Sequence, residues 1–203
     1  IIVAGGDFEL KEFEKLVKPL LETLNVGKKA QSEEVNFTSK KEEKTLIKDT
    51  QQAYIYFGSS FNINSKDEEN YKAKVASFIL GGSGFGSRLM EEIRVKRGLA
   101  YSAYGSISIN KSHSYFNGYL QTKNETADEA KKLVGKIIED FVKNGVTNDE
   151  LIAAKNFLTG SEPLRSETLS QRLNSAFTLY YRGLEPNYSQ KELEKIQNLE
   201  LAD

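Results

Sequence analysis

The stretch from Phe78 to Tyr104, FILGGSGFGSRLMEEIRVKRGLAYSAY, constrains the fold more than any other part of the chain. A helical pattern runs into Gly81-Gly82-Ser83-Gly84-Phe85-Gly86. A second, short helix is predicted over roughly Ser87 to Val95, closing on the basic turn Lys96-Arg97-Gly98. A strand then begins near Leu99. Glycines at this density end one helix and let the backbone reverse before the next, because they adopt positive φ at little steric cost. Arg94 and Tyr101 flank the turn seven positions apart. Across a helix–strand junction they can project to the same side.

The glycine run does not meet the requirements of a phosphate loop. A Walker loop needs a lysine followed by Ser or Thr after its last glycine, whereas Ser87-Arg88 follows Gly86. A dinucleotide fingerprint needs G-x-G-x-x-G directly after a strand; here the glycines follow a helical pattern.

The rest of the chain narrows the class. Its 203 residues suffice for one ordinary domain or two small ones. Basic and acidic residues number 28 and 29, a formal net charge of −1, which gives no electrostatic footprint for nucleic acid or a charged membrane. Cysteine is absent, so disulfides and thiolate zinc sites are excluded. No apolar run approaches the roughly 20 residues that span a bilayer. The sequons at Asn36, Asn124 and Asn187 have no other sign of secretion beside them. The start on Ile1-Ile2-Val3-Ala4, with Met90 as the only methionine, and the end on Leu201-Ala202-Asp203 suggest a piece of a longer polypeptide.

In chain order, Ile1 to Ala4 reads as a β-branched strand, and Asp7 as an N-cap for the helix that follows. Phe13, Leu16, Val17, Leu20, Leu21 and Leu24 form one apolar stripe, with Pro19 expected to kink the helix or end its first part. Asn25 to Lys44 is polar and charged, and reads as a linker. Strand is expected at Thr45–Asp49 and at Gln51–Phe57, where Ala53, Ile55 and Phe57 alternate with Gln52, Tyr54 and Tyr56. Ser65 or Asp67 can cap the next helix, whose buried face is Tyr71, Val75, Phe78 and Ile79. Two alternating runs follow: Tyr101, Ala103, Gly105, Ile107 and Ile109 on one face, then Phe116, Gly118, Leu120 and Thr122, joined by a hairpin loop at Asn110–His113.

The last third is helical. Thr126-x-x-Glu129 and Thr147-x-x-Glu150 read as capping boxes. Ala130, Leu133, Val134, Ile137, Ile138 and Phe141 give the first of these helices its apolar face, and Gly145 its left-handed end. The second runs to about Leu158. A helix over Ser166–Tyr181 is expected to carry Leu169, Leu173, Ala176, Phe177 and Tyr180 inward and to stop at Gly183. A final short one starts at Asn187. Three or four antiparallel strands backed by helices on one face make a two-layer α+β domain.

No catalytic set is complete in these residues. A hydrolytic zinc site needs about three ligands, and His113 is the single histidine, in a hairpin loop. A Ser-His-Asp arrangement would need the same residue, and no G-x-S-x-G turn is present. The acidic pairs Glu33-Glu34, Glu42-Glu43, Glu68-Glu69 and Glu91-Glu92 are neighbours that diverge on helix or strand and read as solvated surface.

The text Gly82-Ser83-Gly84-Phe85-Gly86-Ser87-Arg88-Leu89, continued by Arg94-x-x-Arg97-Gly98-Leu99-Ala100-Tyr101-Ser102, closely resembles the pitrilysin/insulinase-type zinc metallopeptidases, the M16 family that includes mitochondrial processing peptidase. Val3-Ala4-Gly5-Gly6-Asp7-Phe8 and Asn144-Gly145-Val146-Thr147-x-x-Glu150-Leu151-x-x-Ala154-Lys155-Asn156 extend the resemblance to nearly all of the chain outside the linker. It implies a clamshell of two homologous α+β halves. One half carries the zinc motif H-x-x-E-H. The other has no ligands, closes over peptide or protein substrate, and contributes an Arg and a Tyr, which map onto Arg94 and Tyr101. This chain has no H-x-x-E-H and so resembles the C-terminal, metal-free half. The metal, zinc, is then expected in a catalytic half in cis or in a partner subunit.

On the same resemblance, residues 1–24 close the preceding half, 25–44 link, and 45–203 form the C-terminal-type domain. Residue types alone allow a blander role, with Arg94 at a helix C-terminus and Tyr101 packed on the sheet. Arg97 reads as solvated or helix-capping. The alternative function is a non-catalytic partner or scaffold of the same fold. A ferredoxin-like nucleic-acid module is disfavoured by the balanced charge.

Overall fold

The computed structural model describes residues 1–28, 30, 35, 37, 38 and 40–203. Within them the architecture is the expected two-layer α+β arrangement, with three strands. The elements are α1 (Leu10–Glu22), β1 (Gln52–Phe61), α2 (Asn70–Ser77), α3 (Arg88–Met90), β2 (Ala100–Ser108), β3 (Ser114–Lys123), α4 (Ala127–Asn144), α5 (Asn148–Gly160), α6 (Leu169–Arg182) and α7 (Tyr188–Asn198). Wide π-type turns extend α2 through Phe78–Gly82 and α3 through Glu91–Val95.

The sheet is antiparallel in the order β1-β3-β2, so β3 is central and the other two strands are edges. Alternation decides its faces. Ile55 stands opposite Leu120 and Phe57 opposite Gly118; across β3, Leu120 meets Ala103 and Phe116 meets Ile107. This face is covered by helices. Leu80, Leu89, Ile93, Ala130, Val134 and Ile137 close over it in one buried cluster. Each large side chain so buried contributes on the order of 1.5–3 kcal/mol. Val75 and Ile79 of the α2 segment, Leu151, Ala154 and Leu158 of α5, and Ile196 of α7 form a second cluster behind it. The opposite face of the sheet carries no helix among the described residues.

Two glycines of the central stretch serve close approach rather than a turn. A Cβ on Gly81 would lie 2.7 Å from the Gly105 nitrogen, so the wide turn sits directly on the β2 backbone. A Cβ on Gly118 would meet the Phe57 ring and the Tyr104 carbonyl oxygen at 2.4 Å.

Several expectations are corrected. Ile1–Ala4 and Thr45–Asp49 form no strand, because β1, β2 and β3 pair only with one another among the described residues, and β-branched residues without a ladder partner have nothing to bond. The N-cap of α1 is Glu9, not Asp7, and its side chain makes no capping bond. The helix continues through Pro19 to Glu22. Neither Ser65 nor Asp67 is the N-cap of α2; Glu69 is, while the Asp67 carboxylate accepts the Glu69 N–H one turn earlier.

Thr126 precedes α4 but makes no capping box. A 3₁₀ turn over Asn124–Thr126 diverts its hydroxyl to Thr122 and to the Lys123 carbonyl. The box at Thr147/Glu150 is present, and a second, unforeseen one joins Thr168 and Gln171 at the start of α6. Leu169, Ala176, Phe177 and Tyr180 of α6 are exposed rather than inward; Leu173 is half-buried, and the half-buried Thr178 and Leu179 line a cleft toward α2 and α7. Leu16, Leu20, Leu21 and Leu24 of the α1 stripe are exposed as well, while Phe13 and Val17 are half-buried. The expected linker Asn25–Lys44 lies partly outside the described residues, as do Glu33-Glu34 and the Asn36 sequon; its described residues carry neither helix nor strand.

Candidate functional site

The geometry starts at Ser87. Its hydroxyl donates to the Gly84 carbonyl at 2.7 Å and accepts from the Met90 N–H, which fixes α3 on the end of the glycine loop. Arg88 ties α3 to the start of α5. Its guanidinium donates to both Glu150 oxygens at 2.6 and 2.7 Å and to the Gly145 carbonyl at 2.7 Å. The hydrogen-bonded Arg88 guanidinium is the main reason the Glu150 carboxyl titrates below its ordinary range, with burial opposing. Planar two-point pairing of this kind holds position as well as charge.

The wide turn Glu91–Val95 then presents Arg94. The Gly98 N–H donates to the Arg94 carbonyl and the Leu99 N–H to the Ile93 carbonyl, each at 2.9 Å. Ile93 is fully buried, and Gly98 has φ 61°, a value that suits glycine. The Thr122 hydroxyl holds the Leu99 carbonyl at 2.6 Å, so the chain enters β2 pinned on both sides. Glu92 takes up the neighbouring cations. Its carboxylate pairs with Lys96 and Arg97 at 2.6 Å each, bonds that hold it below the usual range. Arg97 also donates to the Glu92 carbonyl, the helix-capping role expected of it. Arg94 makes no ion pair among the described residues.

Tyr101 is where the strand departs from its pattern. Strict alternation places it with Ala103, beneath the helices. The structure instead has a bulge: Ala100 pairs with Thr122 and Ala103 with Leu120, so two residues, Tyr101 and Ser102, oppose the single Gln121. The extra residue turns Tyr101 outward, and it is 81% exposed. The guanidinium carbon of Arg94 lies 4.4 Å from the centre of the Tyr101 ring and 4.6 Å from that of Phe85. The two candidate residues are therefore brought together, and Phe85 is a third member that residue-by-residue reading missed. Its signal was an aromatic between Gly84 and Gly86, both at positive φ, with no helical or strand periodicity to bury it.

Ring contact of this kind engages the flat of a guanidinium and leaves its N–H groups for acceptors. The phenol hydroxyl beside it can donate to an oxygen. His113 is elsewhere, in the exposed hairpin loop, with its Nδ1 3.0 Å from the Ser112 hydroxyl and its ring stacked on Tyr115. Among the described residues no three His, Asp or Glu side chains converge as a metal site, so these residues offer no donor set that fits zinc. No helix among the described residues is long and apolar enough to cross a membrane.

Residues 1–158 match the family model for the peptidase M16 inactive domain. Over all 203 residues the chain is 44% identical to the non-peptidase homolog YmxG of Helicobacter pylori, and it spans 47% of that protein. A zinc protease of Streptomyces coelicolor, itself uncharacterized, is 31% identical over 125 residues, which are 62% of this chain and 27% of that one. The chain thus spans about half or less of the curated relatives it matches. Among solved structures, a peptidase M16 inactive domain from Pseudomonas fluorescens aligns with TM-score 0.69 and 29% identity, covering 75% of this chain and 36% of that one. A protease from Helicobacter pylori shares the fold at TM-score 0.74 and 17% identity, covering 97% and 48%.

Proposed function

The chain belongs to the peptidase M16 family as a C-terminal domain of the inactive type, and from that premise we propose that it is the metal-free half of a zinc endopeptidase. In this reading residues 1–24 close the preceding half, 25–44 connect, and 45–203 form the domain. The hydrolytic zinc belongs to an H-x-x-E-H half, in cis or on a partner subunit, and supplies activated water. This chain holds the polypeptide and stabilises the charge that develops on the scissile carbonyl oxygen.

The observation that carries the reading is the Phe85–Arg94–Tyr101 stack on an exposed surface. A guanidinium held against two rings has less freedom to turn and keeps N–H donors for substrate carbonyls. A phenol hydroxyl aimed at the reacting oxygen acts mainly in the transition state, and losing one such donor typically costs about 10²–10³ in rate. In the intact protein assembled with its H-x-x-E-H half, Tyr101→Phe should lower kcat more than it raises KM. An unchanged kcat removes the proposed role.

One finding favours a second reading. The 44% identical Helicobacter relative bears the name non-peptidase homolog. A partner or scaffold subunit would use the same stack to hold polypeptide without cutting it. Polypeptide binding that depends on Arg94, with no cleavage when an H-x-x-E-H half is supplied, would establish this reading over the first.

A further inference from the structure

The bare face of the sheet is not an ordinary solvated face. Its outward positions form rows across the three strands. Tyr56 of β1 stands opposite Tyr119 of β3, which stands opposite Tyr104 of β2, a tyrosine row spanning the sheet. The Tyr56 and Tyr119 rings stack at 5.7 Å. On one side of this row, Tyr54 pairs with Gln121, whose amide donates to the Tyr54 hydroxyl at 3.1 Å, and beyond Gln121 lies the bulge that carries Tyr101. On the other side Gly58, Asn117 and Ser106 form the next row. Lys123, at the end of β3, is the one charged outward side chain of the three strands. Yet 28% of the chain is charged. A face kept only for solvation would carry charge at something near that share.

We propose that this face selects substrate: it accepts extended polypeptide rich in proline, aromatic and amide side chains, and rejects segments with clustered carboxylates. The proposal rests on the peptide-holding role given above and adds the class of peptide held.

Three observations commit the face to this occupant. Its composition of Tyr, Ser, Asn, Gln and Gly offers rigid amphipathic contact area with adaptable hydrogen bonding, as in protein-recognition loops. Phenol and amide groups satisfy a peptide backbone, while ring faces receive proline and aromatic side chains. The charge pattern is selective, because the negative faces of the rings repel carboxylates and the nearest cations, Lys123 at the end of β3 and Arg94 beyond Tyr101, lie outside the three rows, so a carboxylate buried among the rings is costly. The register also sets Tyr101 opposite Gln121, at the β2 edge of these rows, and its ring carries Arg94, so the face adjoins the stack that holds peptide in the reading above. A second copy of the chain is a poorer fit, since stable homodimer faces are more apolar than this one.

The test uses the intact protein and two end-blocked fluorescent peptides of equal length, one of Pro, Phe, Gln and Gly, the other with its Gln replaced by Glu. Affinity is read by anisotropy, without hydrolysis. The wild type should prefer the uncharged peptide by about tenfold or more, and the triple variant Tyr56→Ser, Tyr104→Ser, Tyr119→Ser should lose most of that preference, the scale on which clustered aromatic anchors act. The triple Tyr→Phe variant keeps the rings and should retain it, which separates lost recognition from lost folding. Equal affinities for the two peptides, or a preference the serine variant keeps, overturns the proposal. So does tighter binding of a neutral oligosaccharide than of either peptide, or self-association that the serine variant abolishes without a change in peptide preference. The two readings fail separately: a preference that persists when Tyr101→Phe leaves kcat unchanged upholds the face and removes the catalytic role, and the reverse result removes the face alone.

Discussion

The Arg94 guanidinium carbon sits 4.4 Å above the Tyr101 ring, although a turn and a bulge separate the two residues in the chain. Planarity makes this contact work. Arg94→Lys keeps the charge but replaces a flat, stackable fork by a flexible, strongly hydrated ammonium. It should weaken polypeptide binding about tenfold while leaving the thermal melting point within a degree or two, since exposed substitutions of this kind change stability by about 0.5 kcal/mol or less. Binding at the wild-type level would mean that charge alone matters.

Phe85 supplies the other ring at 4.6 Å and is 66% exposed, so it does little for the core. A cation–π contact at such a site is worth about 0.5–1 kcal/mol. Phe85→Ala should therefore raise KM or Kd for polypeptide by about two- to fivefold and leave urea unfolding unchanged; Phe85→Tyr should restore affinity. A loss of stability matching the loss of affinity would make Phe85 a packing residue instead.

Arg88 and Glu150 join α3 to the first turn of α5, with side chains only 16% and 24% exposed. The Glu150 carboxyl titrates lower in the folded protein than in the unfolded chain, chiefly because Arg88 bonds to it. Its contribution is thus fully present above the unfolded value, near pH 4 to 5, and is lost as pH falls through the lower folded value. Glu150→Gln should destabilise the domain by about 1–3 kcal/mol at neutral pH, and the difference from wild type should shrink in acid. Chemical unfolding at a series of pH values checks the sign. A difference that grows in acid would contradict the assignment.

Gly81 faces the Gly105 nitrogen at a distance no Cβ tolerates, 2.7 Å. Gly81→Ala should cost about 1–3 kcal/mol by forcing the wide turn off β2. Gly84 has open space at its Cβ position but φ 68°, so Gly84→Ala is strained for a different reason and should cost about 1 kcal/mol. The two can be told apart by adding Gly105→Ala, which should couple to Gly81→Ala and add independently to Gly84→Ala in a double-mutant cycle.

Local pattern carried much of this fold. The faces of α4 and β3, the capping box at Thr147, and the reversal at Gly84 and Gly86 follow from spacing and from what glycine and threonine do to nearby backbone. The motif named Arg94 and Tyr101. That the two can meet across the helix–strand junction was legible; the side of the sheet that Tyr101 takes was not, because it depends on pairing between distant segments. β2 takes its register from β3, with Leu99 held by Thr122 and Ile93, and the mismatch is absorbed as one extra residue at Tyr101-Ser102. That slip turns a side chain expected beneath the helices out to solvent, against Arg94. The tyrosine row Tyr56–Tyr119–Tyr104 is set the same way, by which strand lies beside which. Periodicity along one segment records the side a residue prefers; only the ladder between segments fixes the side it occupies.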